Sequence, residues 1–152
     1  MKRFASAILL SLFLVTLFSP IAVSATPLAS NQQIIYLEDG YITVTLDYTE
    51  SRAATSKTGS KTFTYYDGND REKWKAVLRG TFAYTGTSAT CTAASCDVTI
   101  TDTVWYVVSK DPYKSGNSAV CDLTMGRKFL GISIAKETVN MRLTCDASGN
   151  LS

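Results

Sequence analysis

Residues 74–109, WKAVLRGTFAYTGTSATCTAASCDVTITDTVWYVVS, decide the fold. Trp74, Ala76, Leu78, Phe82 and Tyr84 fall on alternate positions, with Lys75, Arg79 and Thr81 on the other phase. That is the period of a strand with one buried face. Gly80 interrupts the apolar row and marks a bulge or a close backbone approach. Thr85-Gly86 supplies a turn. From Cys96 the alternation resumes through Val98, Ile100, Val104, Tyr106 and Val108, with Thr99, Thr101 and Thr103 opposite. Residues 91–96, between the two runs, read as a loop closed by its cysteines. The whole stretch reads as the centre of an antiparallel sheet.

Working toward the N-terminus, Ile42, Val44, Leu46 and Tyr48 alternate with Thr43, Thr45 and Asp47, a second strand pattern. Residues 49–60 are rich in Ser, Thr, Ala and Lys without an apolar period and read as a mobile loop. Residues 61–66 form a further strand, and Asp67-Gly68-Asn69-Asp70 is the turn after it, since Gly and Asn accept positive φ and Asp bonds its own backbone. The same residues begin like a calcium loop. Arg71 stands where such a loop needs another oxygen ligand, so a plain turn is expected and no metal.

Residues 26–39 start polar and proline-containing, then pass through Ile34, Ile35, Tyr36 and Leu37; they read as a linker ending in a short strand or docked arm. The domain proper is expected over 40–152. Residues 1–25 have the form of a signal peptide: Lys2 and Arg3 at the start, an apolar run at 8–18, and Val23-Ser24-Ala25 as a small-residue cleavage site. The apolar run is too short to span a bilayer, and no later segment is apolar enough to do so. A secreted chain without a transmembrane segment in its mature part is expected.

Toward the C-terminus, Lys110 to Gly116 and Gly126 to Gly131 read as turns, with Ala119, Cys121, Leu123 and Met125 as one strand face between them. The last strand contains a conflict of phase. Ile132 and Ile134 are even, whereas Val139, Met141, Leu143 and Cys145 are odd, and a one-residue slip exchanges the faces of a strand. A bulge between Ala135 and Thr138 repairs it. No later segment shows helical periodicity, and the Thr, Val and Tyr content favours pleated structure. The fold class is therefore all-β, an antiparallel β-sandwich of seven or eight strands and immunoglobulin-like in size, with a small β-barrel as the alternative.

Composition bounds the chemistry. The chain has 152 residues, 45% hydrophobic and 18% charged, which suits one globular domain. Of its 15 basic residues, Lys2 and Arg3 lie in the leader; the remaining 13 equal the 13 acidic ones. A balanced, scattered charge lacks the basic stripe that nucleic acid requires, so no nucleic-acid partner is expected. The chain has no histidine, which removes the Ser-His-Asp triad, the Cys-His dyad and every histidine-ligated metal. A glycosidase needs two carboxylates facing one another; Asp67, Asp70, Asp102, Asp111 and Asp122 lie mostly at turns or on polar phases. No catalytic residue and no cofactor is assigned.

Four cysteines, Cys91, Cys96, Cys121 and Cys145, imply disulfides in a secreted chain and allow three connectivities. The spacing favours Cys91 with Cys96 and Cys121 with Cys145. The rival is that Cys121 and Cys145 are free and buried as small apolar residues.

The segments SATCTAASCDVTITD, KSGNSA and LTCDASGNLS resemble a group of small secreted β-rich proteins of Gram-positive bacteria, over roughly residues 55–152. The resemblance implies an extracellular β-domain and carries no activity or site residue. The expected function is a non-catalytic binding or adhesion module for a cell-surface glycan or protein. A secreted effector acting by contact, as an inhibitor or antimicrobial, is the alternative, with a carboxylate glycosidase behind it. The candidate binding face is Trp105 and Val107 with Thr99, Thr101 and Thr103, which fall on the phase opposite Ile100, Val104 and Tyr106. Tryptophan there offers a stacking platform.

Overall fold

A computed structural model of the protein describes residues 32–48 and 55–152. The signal-peptide expectation for 1–25 and residues 49–54 of the expected loop lie outside the described residues. Eight strands follow one another: β1 (Gln33–Leu37), β2 (Gly40–Tyr48), β3 (Ser56–Asp67), β4 (Glu72–Tyr84), β5 (Ala89–Ile100), β6 (Trp105–Ser115), β7 (Ser118–Phe129) and β8 (Ile132–Thr144). Each pairs antiparallel with its neighbour in sequence, except that β5 and β6 belong to different sheets. The result is a five-stranded sheet, β1-β2-β3-β4-β5, facing a three-stranded sheet, β6-β7-β8. The sheets do not close on one another, so the sandwich holds and the barrel alternative falls. Among the described residues no helix is long and apolar enough to cross a membrane.

The alternation of β4 works as the sequence leads one to expect: Trp74, Ala76, Leu78 and Phe82 are all buried. Opposite them, β7 and β8 supply Ala119, Cys121, Leu123, Met125, Met141 and Leu143, all buried. Gly80 marks a close approach. A Cβ there would stand 2.5 Å from the Phe82 ring and 2.9 Å from the Ala119 methyl of the facing sheet. Larger residues at that point would force the sheets apart.

Several expectations are corrected. Residues 91–96 are no loop: they lie inside β5, with Cys96 opposite Leu78 and Cys91 opposite Phe82. The register slips at Thr81/Phe82, leaving Thr92 as the extra residue of a bulge. The slip lets Cys91 and Cys96, on opposite parities, both face the core. Residues 98–108 are two strands, because the chain crosses between sheets at 101–104. The Asp102 carboxylate accepts the Val104 N–H at 3.1 Å and the Asp102 carbonyl accepts the Trp105 N–H at 3.0 Å, folding the crossover tightly. Residues 56–60, read as loop, extend β3. The bulge of the last strand is real but earlier: Arg127 pairs with Ala135 and Lys128 with Ser133, which leaves Ile134 as the extra residue.

Candidate functional site

The expected binding face does not assemble. Trp105 is 6% exposed and packs edge-on against Tyr65 at 5.1 Å between ring centroids, while Tyr65 stacks on Trp74 at 5.6 Å. These three rings join β3, β4 and β6 across the core. Thr99 is exposed on β5 of the larger sheet, Thr101 and Thr103 are exposed in the crossover, and Val107 is exposed on β6 of the smaller sheet. The Thr101 hydroxyl is engaged with Glu72 at 3.0 Å. The physical reason is the change of sheet at 101–104, which breaks the phase from which an outward Trp105 was inferred.

The turns β1–β2, β3–β4 and β7–β8 and the β5–β6 crossover all lie at one end of the sandwich, since the strands form a meander. Around a cavity of about 60 Å³ there stand Asp39, Asp67, Lys73, Asp102 and Arg127, with Tyr65 and Trp105 behind them. Lys73 Nζ lies 3.0 Å from both Asp67 and Asp102. Backbone N–H donation from Arg71, then Lys73, pulls the Asp67 carboxyl down to about 2; Lys73 and then the Val104 N–H hold Asp102 low. In turn, Asp102 and Asp67 raise Lys73. A glycosidase needs one carboxyl held protonated near neutral pH. These two acids share a lysine and are both kept charged.

Beside this cluster the β7–β8 hairpin projects as the sequence Arg127-Lys128-Phe129-Leu130-Gly131-Ile132-Ser133-Ile134-Ala135-Lys136. Phe129 is 64%, Leu130 87% and Ile132 69% exposed, and Ile134 is exposed behind them. Leu130 and Gly131 both have positive φ, 50° and 82°, the backbone of a tight hairpin turn that ordinarily takes Asn or Gly. A leucine in that conformation is strained by roughly 1–2 kcal/mol. Leu130 is thus unfavourable in solvation and in backbone alike, and the fold gains nothing from it. The cations form a collar below the tip. Lys128 sits 4.5 Å over the Tyr106 ring, Lys136 is exposed, and Arg127 reaches Asp39 at 4.0 Å. Tyr106 donates its hydroxyl to Ser133 at 2.9 Å, fixing the hairpin to β6.

Sequence reasoning missed this tip by reading 126–131 as an ordinary turn. A signal was present: turns are polar, and a Phe-Leu pair followed by Gly-Ile breaks that rule. A second exposed feature is a row of tyrosines across β1, β2 and β3. Tyr36, 77% exposed, lies 6.3 Å from Tyr41, which stacks on Tyr66 at 5.2 Å and 17°. Tyr41 donates to Asp70 at 2.9 Å, a bond that raises its hydroxyl pKa. Comparison with protein-family models, with curated proteins and with solved structures found no match to this chain.

Proposed function

We propose that the protein is a secreted, non-catalytic binding module that attaches to an anionic lipid surface through the β7–β8 hairpin. The observation that carries this reading is the pairing of an exposed apolar tip, Phe129, Leu130 and Ile132, with exposed cations on the same hairpin, Lys128 next to the tip and Lys136 further back, opposite Gly126. Apolar side chains at the tip and cations at headgroup depth are the arrangement of an interfacial anchor. Inserting each large side chain contributes roughly 1.5–3 kcal/mol when fully buried, and each cation near an anionic surface adds about 1 kcal/mol. Partial insertion of three such residues gives reversible attachment rather than permanent anchoring.

The test is co-sedimentation with vesicles of phosphatidylglycerol and, separately, of phosphatidylcholine. The protein should pellet with the anionic vesicles and lose at least about tenfold in affinity on Leu130→Asn, the cost of a buried leucine expressed as an equilibrium constant. Equal pelleting of wild type and Leu130→Asn would overturn the reading, as would failure to bind anionic vesicles at all.

The tyrosine row supports a second reading, a platform for a cell-surface glycan or protein. It is favoured instead if Tyr36→Ala abolishes binding to intact cells while Leu130→Asn leaves it unchanged.

A further inference from the structure

The four cysteines are free thiols in this structure, all buried in one core between the sheets. Neither expected pair fits the strands that hold them. Cys91 and Cys96 lie five residues apart in one extended strand, a separation of roughly 13–16 Å at about 3.3 Å per residue, bulge included. A disulfide needs Cα atoms about 4.4–6.8 Å apart. Cys121 is opposite Met141 in the β7–β8 register, so Cys145, four residues further along, is out of reach by the same measure.

The neighbours across the core are different. The Cys91 N–H donates to the Gly116 carbonyl at 2.8 Å, and the Cys145 N–H donates to the adjacent Asn117 carbonyl at 3.0 Å. The Asn117 side chain also donates to the Cys145 carbonyl at 2.7 Å. Cys91 and Cys145 therefore flank the same β6–β7 turn from the two sheets. From that turn β5 and β7 run in the same direction and pack face to face. β5 reaches Cys96 at about the level where β7 reaches Cys121, and these two thiols perturb each other's titration as immediate neighbours. Cys91 likewise bears on Cys145. The remaining connectivity, Cys91 with Cys121 and Cys96 with Cys145, would have to run obliquely along the sandwich.

We propose that the chain forms two disulfides across the sandwich, Cys91–Cys145 and Cys96–Cys121. Each bond forms by exchange with an oxidised disulfide donor, either a small-molecule disulfide or a dithiol oxidase. One cysteine thiolate attacks a donor sulfur and expels a donor thiolate. The partner cysteine then attacks the mixed disulfide and releases the second donor thiol. Two protein thiols are oxidised, their protons leave to solvent or to the departing thiolates, and the donor disulfide is reduced to two thiols. Burial, followed by the Cys121 neighbour, pushes the Cys96 thiol up to about 12. Exchange needs the thiolate, so the bonds form while the sheets are still closing and are protected afterwards.

The experiment refolds the full chain in oxidised and reduced glutathione, blocks free thiols with iodoacetamide in denaturant, and sequences the peptides by mass spectrometry. Wild type should carry no alkylated cysteine. Cys91→Ser should leave Cys145 alone alkylated, and Cys96→Ser should leave Cys121 alone alkylated. Release of Cys96 by Cys91→Ser, or four alkylated cysteines in refolded wild type, would overturn the proposal. Should a variant fail to fold, fragmentation of the unreduced wild-type digest between Cys91 and Cys96 reads the same connectivity. A Cys121–Cys145 link there would equally overturn it.

Discussion

At the scale of single residues, Asp67 shows how a turn is made to hold charge. Its Oδ1 accepts the N–H groups of Asn69 at 2.9 Å and Arg71 at 3.0 Å, and its other oxygen meets Lys73. These contacts favour the ionised carboxylate, so its folded pKa, about 2, lies below the ordinary value of 3.8. A depressed carboxylate contributes stability that is complete above the unfolded pKa and lost as pH falls through the folded one. Asp102 is lowered too and acts in the same direction. Wild type should therefore lose stability as pH falls from 3.8 toward about 2, and Asp67→Asn should lose less over that window, as read from urea midpoints at each pH. Parallel curves for the two proteins would show that the turn does not depend on this charge. The same residues had been legible as a turn from Asp-Gly and Gly-Asn alone. Their link to Lys73 and Asp102 was not, because the partners lie in a strand and a crossover distant in sequence.

At the scale of the element, the β7–β8 hairpin pits stability against binding. Leu130 sits at a φ of 50°, where asparagine is tolerated far better than a branched aliphatic residue. Leu130→Asn should thus raise stability by about 0.5–1 kcal/mol, since the side chain is exposed and no packing is lost. The same substitution should weaken vesicle attachment. Thermal denaturation showing a loss of stability would mean that Leu130 packs against something in the folded chain. Strands were legible wherever alternation was unbroken, as in β4 with Trp74, Ala76 and Leu78. Bulges that changed parity were harder to place. Thr92 lets Cys91 and Cys96 share a face, and Ile134 moves Ile132 out of phase with Met141. Two further slips lie between Tyr65 and Tyr66 and between Val107 and Ser109. Local alternation also says nothing about sheet membership, so Val98 and Tyr106 looked like one strand although a crossover separates them. Trp105 was placed outside for that reason, and the Tyr65–Trp74 stack against which it packs belongs to β3 and β4 of the other sheet.

At the scale of the whole molecule, the chain is a meander in which strand pairing is local within each sheet, while the sheets themselves are joined covalently only through residues 101–104 at one end. Otherwise they are held by the buried core, including the small-residue contact of Gly80 with Ala119, and by hydrogen bonds such as Cys91 N–H to the Gly116 carbonyl and Lys61 Nζ to the Arg142 carbonyl. The proposed bonds would tie β5 to β7 in mid-sandwich and to the segment after β8 at the far end. Cys96–Cys121 closes a loop of roughly 25 residues and Cys91–Cys145 one of roughly 55, for which chain entropy gives about 3.5 and about 4 kcal/mol. One loop lies inside the other, so the joint effect should fall short of the sum. Oxidised protein should therefore unfold at higher guanidinium concentration than reduced protein. Cys91→Ser should lose no less than Cys96→Ser, because it opens the longer loop and frees the far end. The transition should stay single for the oxidised form, since both bonds span the one core. Coincident unfolding of oxidised and reduced protein would mean that the bonds add nothing to a core already closed by packing. Two separate transitions in the oxidised form would mean that the sheets unfold independently despite them.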